Sequence, residues 1–144
     1  MLKGLNHITI QVADLDRSMA FYTQALGLKP HARWAFGAYL TLGELWFCLL
    51  LGKSSPARDY SHIAFDLGRD DFSGWAEKIR EQGIPLWKEN ESEGDSLYLL
   101  DPDGHQLEIH CGDLSTRLAS LTPEDYPGLE MFDTGFDSEQ REGN

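Results

Sequence analysis

The chain reads NHITIQV at residues 6–12 and SHIAFDL at residues 61–67. In both stretches apolar residues occupy every second position, which predicts a β-strand that buries one face. Each stretch opens with a histidine, His7 in the first and His62 in the second. Two strands that begin alike, more than fifty residues apart, indicate an internal duplication.

The elements after each strand follow the same order. An aspartate that can cap a helix, Asp14 or Asp16 in the first half and Asp71 in the second, precedes apolar residues at helical spacing. Gly27 and Gly83 then end the predicted helices. Further strands are predicted at four places: residues 38–42, 45–51, 96–100 and 106–111. We therefore predict an α+β fold of paired βαβββ modules that form a curved mixed sheet.

The boundaries of these modules follow from the turn signals. The first module takes residues 4–52 and the second takes residues 60–112, joined by a polar linker. Asp113 can cap a short C-terminal helix over residues 113–121. We predict one domain over residues 1–132 and a disordered acidic tail over residues 133–144.

Composition excludes several classes of partner. The formal net charge is −12, and seven acidic residues against one arginine lie within residues 124–142. Such acidity argues against binding to nucleic acid or to an anionic membrane surface. No apolar run reaches the ~20 residues that span a bilayer, and no signal peptide is visible, so a cytoplasmic protein is expected. Cys48 and Cys111 lie in apolar strands and are expected to be reduced.

Four polar residues whose side chains can take part in binding or catalysis share the non-core faces of these strands: His7, Thr9, His62 and Glu108. Two imidazoles and a carboxylate can bind a divalent metal and leave positions open for a substrate. Oxygen ligands from substrate and water favour Mn²⁺, although Zn²⁺ or Fe²⁺ is chemically admissible. The spacing alone equally suits histidines that are independently hydrogen-bonded in their strands.

The segment KENESEGDSLY at residues 88–98 is rich in hydroxyl, amide and carbonyl groups. Such a loop can coordinate a monovalent cation or bind an oxyanion, with Gly94 permitting a sharp turn. Lys88, Ser96 and Tyr98 offer donors to an anion, and Arg117 can reach it from the following helix. The alternative interpretation is a solvated acidic loop.

These motifs resemble a known family. The resemblance extends over residues 1–132 and rests on LNHIT at 5–9, ARW at 32–34, GAYL at 37–40, LW at 45–46, the 88–98 segment, LDPDGH at 100–105, and LE at 107–108. The chain resembles the glutathione-dependent fosfomycin resistance transferases of the vicinal oxygen chelate superfamily. The family carries its sites in a domain-swapped homodimer, each site built from two subunits.

The resemblance implies a role for each matching residue. His7, His62 and Glu108 would bind Mn²⁺, and Thr9 would lie beside the epoxide oxygen. The phosphonate and the pocket around it would be contacted by Trp46, Lys88, Ser92, Ser96, Tyr98 and Arg117. A K⁺ loop would be formed by Asn90, Ser92, Gly94 and Ser96. Tyr39 would face the incoming thiol.

The implied activity is the addition of a thiol, glutathione first, to the epoxide of fosfomycin, an antibiotic. Glutathione-using members carry polar residues where this chain has Ala35 and Phe36, and a basic residue where it has Glu91. The co-substrate could therefore be another thiol, or water in an epoxide hydrolase. A metal-free drug-binding protein and a superfamily isomerase or dioxygenase are the remaining alternatives.

Overall fold

The two halves of the chain fold into equivalent βαβββ units in a computed structural model that describes residues 1–91 and 93–135. The first unit consists of β1 (His7–Val12), α1 (Leu15–Ala20) with a π-helical continuation (Phe21–Ala25), β2 (Lys29–Trp34), β3 (Gly37–Leu42) and β4 (Leu45–Leu51). The second consists of β5 (Ile63–Asp66), α2 (Arg69–Glu81), β6 (Leu86–Lys88), β7 (Asp95–Leu100) and β8 (Gln106–Cys111), followed by α3 (Leu114–Ser120).

The two sheets share one topology. Their strand orders are β1-β4-β3-β2 and β5-β8-β7-β6, so each unit forms its own four-stranded sheet. In each, the first strand pairs in parallel with the last, and the other pairs are antiparallel. The duplication, the α+β class and the mixed sheets predicted from the sequence are confirmed.

Strand alternation gives each sheet a core face and an open face. In β1, His7, Thr9 and Gln11 are exposed while Val12 is fully buried. The register places His7 beside Trp46 on β4. In the second sheet Glu108 on β8 lies between Ala64 on β5 and Tyr98 on β7. His7, Thr9 and Glu108 therefore occupy the open faces, while His62 directly precedes β5.

The helix starts follow local capping chemistry, with one correction. Asp14 caps α1 by accepting a hydrogen bond from the Arg17 amide at 3.0 Å, as predicted. Asp71 was the wrong cap for α2, because the helix begins earlier and Gly68 is its N-cap. The Asp71 amide donates to the Gly68 carbonyl at 3.1 Å, and its carboxylate in the first turn favours the positive end of the helix dipole.

The sequence patterns give no individual signal for β2 or β6. Every residue of β2 is exposed, and the strand contains Pro30 and a register irregularity. β6 has three residues and is also irregular. Both are edge strands, where a short or proline-containing segment can pair on one side only. Their pairing is therefore set by their neighbours rather than by their own periodicity.

The turn between β7 and β8 fastens the two modules together. Asp101 accepts a hydrogen bond from the Tyr22 hydroxyl at 2.7 Å, and Asp103 accepts one from the Ala13 amide at 2.8 Å. Phe47 of the first sheet and Phe65 of the second meet with ring centroids 6.1 Å apart. Gly104 in this turn has a positive φ of +94°. The core is therefore continuous between the modules.

The C-terminal part begins with a well-capped helix. Asp113 caps α3 through a capping box with Thr116, as its position in the sequence predicts. Residues 133–135, the described beginning of the predicted tail, contain no helix or strand, and residues 136–144 lie outside the described residues. Cys48 and Cys111 are free, as expected. Within residues 1–91 and 93–135 no helix is long and apolar enough to cross a membrane.

Candidate metal and anion site

A histidine and a carboxylate meet on the open face of the second sheet. His62 Nε2 lies 3.0 Å from Glu108 Oε1, and Glu108 is 7% exposed. His62 Nδ1 lies 2.7 Å from the Tyr60 carbonyl oxygen, which can only accept, so Nδ1 carries a proton. In a neutral imidazole, Nε2 then directs a lone pair at a carboxylate oxygen. A proton or a metal cation between His62 Nε2 and Glu108 Oε1 stabilises these two atoms. Their donor chemistry therefore fits a divalent metal.

The other oxygen of Glu108 has different neighbours. Ser96 Oγ lies 2.5 Å from Glu108 Oε2 and 2.6 Å from His110 Nδ1. Adjacent strands bring them together, because Ser96 on β7 is in register with His110 on β8. Ser96, expected to touch substrate, thus lies directly beside an expected metal ligand.

His7 lies on the other sheet. Its ring is 4.4 Å from that of Trp46, and Nδ1 is 2.7 Å from the Asn6 side-chain oxygen. Among residues 1–91 and 93–135 no three His, Cys, Asp or Glu side chains of one chain are close enough to hold a metal. His7 and the His62–Glu108 pair therefore do not meet within a single chain.

The open face around His7 carries an aromatic cluster. Tyr39 packs edge-on against both Trp34 and Trp46, with centroids 4.9 Å and 5.3 Å apart. Thr9 shares this face, in register with Cys48. These partly exposed rings form an apolar wall beside Thr9 and His7.

Lys88 provides a cation near the His62–Glu108 pair. Its ammonium donates to the Tyr60 hydroxyl at 2.8 Å and lies 4.7 Å and 4.9 Å from the ring centroids of Tyr60 and Tyr98. The hydrogen bond to Tyr60 raises the pKa of Lys88, so the side chain stays cationic at neutral pH. Across the sheet Lys88 pairs with Tyr98, and Tyr98 pairs with Glu108. The cation therefore lies two strands from Glu108, with Tyr98 between them.

Two hydrogen bonds involve the loop before β7. The Asn90 amide donates to the Gly94 carbonyl at 2.7 Å, and Gly94 has φ +79°. Arg117 donates from Nε to the Glu93 carboxylate at 3.3 Å. Arg117 from α3 therefore contacts this loop. Ser92, predicted both for the phosphonate and for the K⁺ loop, lies outside the described residues.

Sequence reasoning missed two residues of this site. Tyr60 contacts both His62 and Lys88, but it precedes β5 and lies outside any strand, where no periodicity identifies it. His110 shares the open face with Glu108, and its alternation along β8 was the available signal.

Comparison with known proteins agrees with this architecture. Residues 4–109 match the family model described as Glyoxalase/Bleomycin resistance protein/Dioxygenase superfamily. The glutathione transferase FosA of Serratia marcescens is 45% identical over 90% of this chain and 95% of its own length. The metallothiol transferase FosB of Staphylococcus haemolyticus is 34% identical over 92% of this chain and 99% of its own length.

A solved structure extends the comparison to three dimensions. A variant of the fosfomycin resistance protein FosX from Listeria monocytogenes, complexed with Mn(II) and 1S,2S-dihydroxypropylphosphonic acid, superposes with a TM-score of 0.76. It is 30% identical, and the alignment covers 83% of this chain and 99% of FosX. The duplicated βαβββ fold, the family-model match over most of the chain and the full-length relatives agree: the chain belongs to the Glyoxalase/Bleomycin resistance protein/Dioxygenase superfamily.

Proposed function

We propose that this protein is a metal-dependent transferase that adds a thiol, glutathione first, to the epoxide of fosfomycin and so inactivates the antibiotic. The observation that carries the proposal is the placement of Lys88 near the His62–Glu108 pair on one open face. Fosfomycin joins a phosphonate anion to an epoxide, so it needs a cation beside a metal ligand set. The FosA and FosB relatives, named as thiol transferases, support the same reaction.

The proposed metal ligands are His62 and Glu108 of one chain and His7 of the partner subunit. The separation of His7 from the other two within one chain favours a shared site in a homodimer. Mn²⁺ is the proposed ion, since FosX was solved with Mn(II). A divalent cation bound there would supply Lewis acidity that stabilises the alkoxide charge developing as the epoxide opens.

The protein's own residues orient the substrate. Lys88 and Arg117 attract the phosphonate, and Tyr98 and Ser92 donate hydrogen bonds to it, whereas the single Ser96 proton is directed at Glu108. Thr9 lies beside the epoxide oxygen, Trp46 lines the pocket, and Tyr39 faces the thiol. The thiolate sulfur forms a bond to an epoxide carbon as the C–O bond breaks, and the resulting alkoxide takes up a proton. Holding both reactants in this alignment is a large part of the rate enhancement.

We extend the proposal to K⁺, bound by the loop that contains Asn90, Ser92, Gly94 and Ser96. The sharp turn at Gly94 and the Asn90–Gly94 hydrogen bond support a loop whose oxygens converge. A monovalent cation there would reduce the negative charge of the phosphonate, which otherwise repels a thiolate.

Water is the second candidate nucleophile. The dihydroxypropylphosphonic acid in the FosX structure is the diol that water addition to fosfomycin would give. A metal-free binding protein is less well supported, because the FosA and FosB relatives are named as transferases.

The test is a ³¹P NMR time course of fosfomycin with Mn²⁺ and either glutathione, 2-mercaptoethanol, or no thiol. The proposal predicts a thioether product with glutathione and loss of turnover when EDTA removes the metal. Equal diol formation in every arm would replace the transferase with a hydrolase. No consumption in any arm, with Mn²⁺ bound, would overturn the proposed substrate.

A further inference from the structure

The imidazole of His110 occupies a slot between two glycines. A Cβ built on Gly112 would lie 2.8 Å from His110 Nε2, and one built on Gly94 would lie 2.9 Å from His110 Cε1. Both glycines have positive φ, +150° and +79°, which disfavours any side chain there. The backbone thus leaves a space that fits this ring and holds it in one orientation.

The ring orients a chain of hydrogen bonds that ends at Glu108. Ser96 Oγ has a single proton but lies 2.5 Å from Glu108 Oε2 and 2.6 Å from His110 Nδ1. An ionised carboxylate only accepts, so the Ser96 hydroxyl donates to Glu108 and accepts from a protonated Nδ1 of His110. The neutral ring is therefore fixed as its Nδ1–H tautomer.

This chain constrains one oxygen of Glu108 and leaves the other available. Oε2 is held by Ser96, with His110 Nδ1 itself 3.3 Å away. Oε1 is thereby directed toward His62 Nε2 at 3.0 Å. In a site of this kind the partners that orient a ligand affect metal affinity about 10- to 100-fold.

We propose that His110 is a positioning residue that, seated by Gly112 and acting through Ser96, holds the Glu108 carboxylate ready to bind the metal. The inference rests on the proposed function for the identity of the metal ligands. It adds a residue that neither touches the substrate nor ligates the metal, and it explains why a glycine follows β8 at position 112.

The first experiment measures Mn²⁺ affinity without turnover, by EPR titration of free Mn²⁺ against the full-length protein. His110→Leu keeps most of the side-chain volume but removes the donor, and should weaken binding by about tenfold or more. His110→Asn places an amide N–H near the position of Nδ1 and should recover most of that loss. Equal losses in both variants, or wild-type affinity in His110→Leu, would overturn the inference.

A second experiment isolates the contact between Gly112 and the ring. Gly4 has a similar positive φ, +142°, but a Cβ there meets nothing within 4 Å, so Gly4→Ala is the matched control for backbone strain. Gly112→Ala should reduce Mn²⁺ affinity, whereas Gly4→Ala should not. In a His110→Ala background, Gly112→Ala should weaken Mn²⁺ binding by less than about twofold further, because the ring that it would displace is absent. An undiminished effect of Gly112→Ala in that background would contradict the inference.

The two proposals fail separately. Wild-type protein that binds Mn²⁺ without consuming fosfomycin would contradict the proposed function. A loss of Mn²⁺ affinity in His110→Leu that His110→Asn recovers would still support the positioning role. Wild-type protein that consumes fosfomycin, with His110→Leu binding Mn²⁺ normally, would remove only the role of His110.

Discussion

At the scale of single residues, the chemistry of the site depends on what each oxygen and nitrogen faces. Glu108 is a buried carboxylate whose oxygens contact His62 on one side and Ser96 on the other. A buried carboxylate is costly unless its charge is compensated. A metal cation at Oε1 provides that compensation, so affinity for the ion should depend on the charge of this side chain.

We expect Glu108→Gln to lower Mn²⁺ affinity by at least about tenfold, a loss of about 1.4 kcal/mol, because an amide is a neutral ligand. Isothermal titration with Mn²⁺ measures the effect. Glu44→Gln, the same chemical change in the exposed β3–β4 turn, is the control and should bind as wild type does. Titrations that do not distinguish the two variants would remove Glu108 from the ligand set.

Glu91 stands where the sequence resemblance implies a basic residue in glutathione-using members of the family. It is exposed, and its charge adds the smallest contribution to the raised pKa of Lys88, which is due first to the hydrogen bond with Tyr60. Glutathione carries net negative charge, so we expect Glu91→Arg to lower its KM by up to about fivefold, with kcat nearly unchanged.

Steady-state kinetics with two thiols measures that effect. The gain should shrink as salt rises, because exposed charges are screened beyond about 10 Å at 0.1 M ionic strength. 2-Mercaptoethanol has no carboxylate and serves as the neutral control. A change in KM of the same size for both thiols would show that position 91 acts by something other than charge.

At the scale of elements, the turn at residues 101–104 has a structural role beyond reversing the chain. Asp101 accepts from the Tyr22 hydroxyl and from the backbone amides of Asp103 and His105. Burial raises the pKa of Asp101, whereas the Tyr22 hydrogen bond lowers it. The folded state thus binds this proton more tightly than the unfolded state does, so Asp101 contributes less stability as pH rises above its ordinary value of about 3.9.

We expect Tyr22→Phe to cost about 1.5 kcal/mol at pH 7, since a hydrogen bond to a charged group is lost. Without that bond the pKa of Asp101 rises further, so the cost should be largest at neutral pH and shrink as pH falls and Asp101 becomes protonated. Urea unfolding between pH 4.5 and 8 measures the cost, with the exposed Tyr126→Phe as control. A cost that is constant across this range would contradict the proposed coupling.

Elements with a buried face or an explicit helix cap could be predicted from the sequence, and those with neither could not. β1 and β4 alternate or are continuously apolar because one face of their sheet packs on the core, and α3 has an explicit capping aspartate. β2 and β6 lie at sheet edges, where partner strands rather than periodicity fix them. The wrong cap at Asp71 has a related cause, since Gly68 caps by backbone geometry and carries no side-chain signal.

The residues of the candidate site likewise fall into those that the sequence pattern could predict and those that it could not. Alternation placed Glu108 on an open face, but the contacts of Tyr60 depend on the path of the chain just before β5, which no local pattern encodes. The His62 tautomer follows from one carbonyl oxygen and is likewise visible only in three dimensions.

At the scale of the whole molecule, each of the two open faces carries a different part of the proposed site. One carries His7, Thr9 and the aromatic cluster of Tyr39 and Trp46, and the other carries the His62–Glu108 pair with its cation. No three metal-ligating side chains among the described residues of one chain come together. The proposed metal site therefore requires that two chains contribute one open face each.

Subunit mixing tests that claim most directly. His7→Ala and Glu108→Ala proteins, each inactive alone, should recover about a quarter of wild-type fosfomycin turnover after random exchange, because half the dimers are mixed and each holds one intact site. Mixing His62→Ala with Glu108→Ala is the matched control and should recover nothing, since both lesions fall on the same open face. Recovery in the first mixture alone is the predicted result; no recovery in either mixture, after subunit exchange is confirmed, would contradict a site shared between chains.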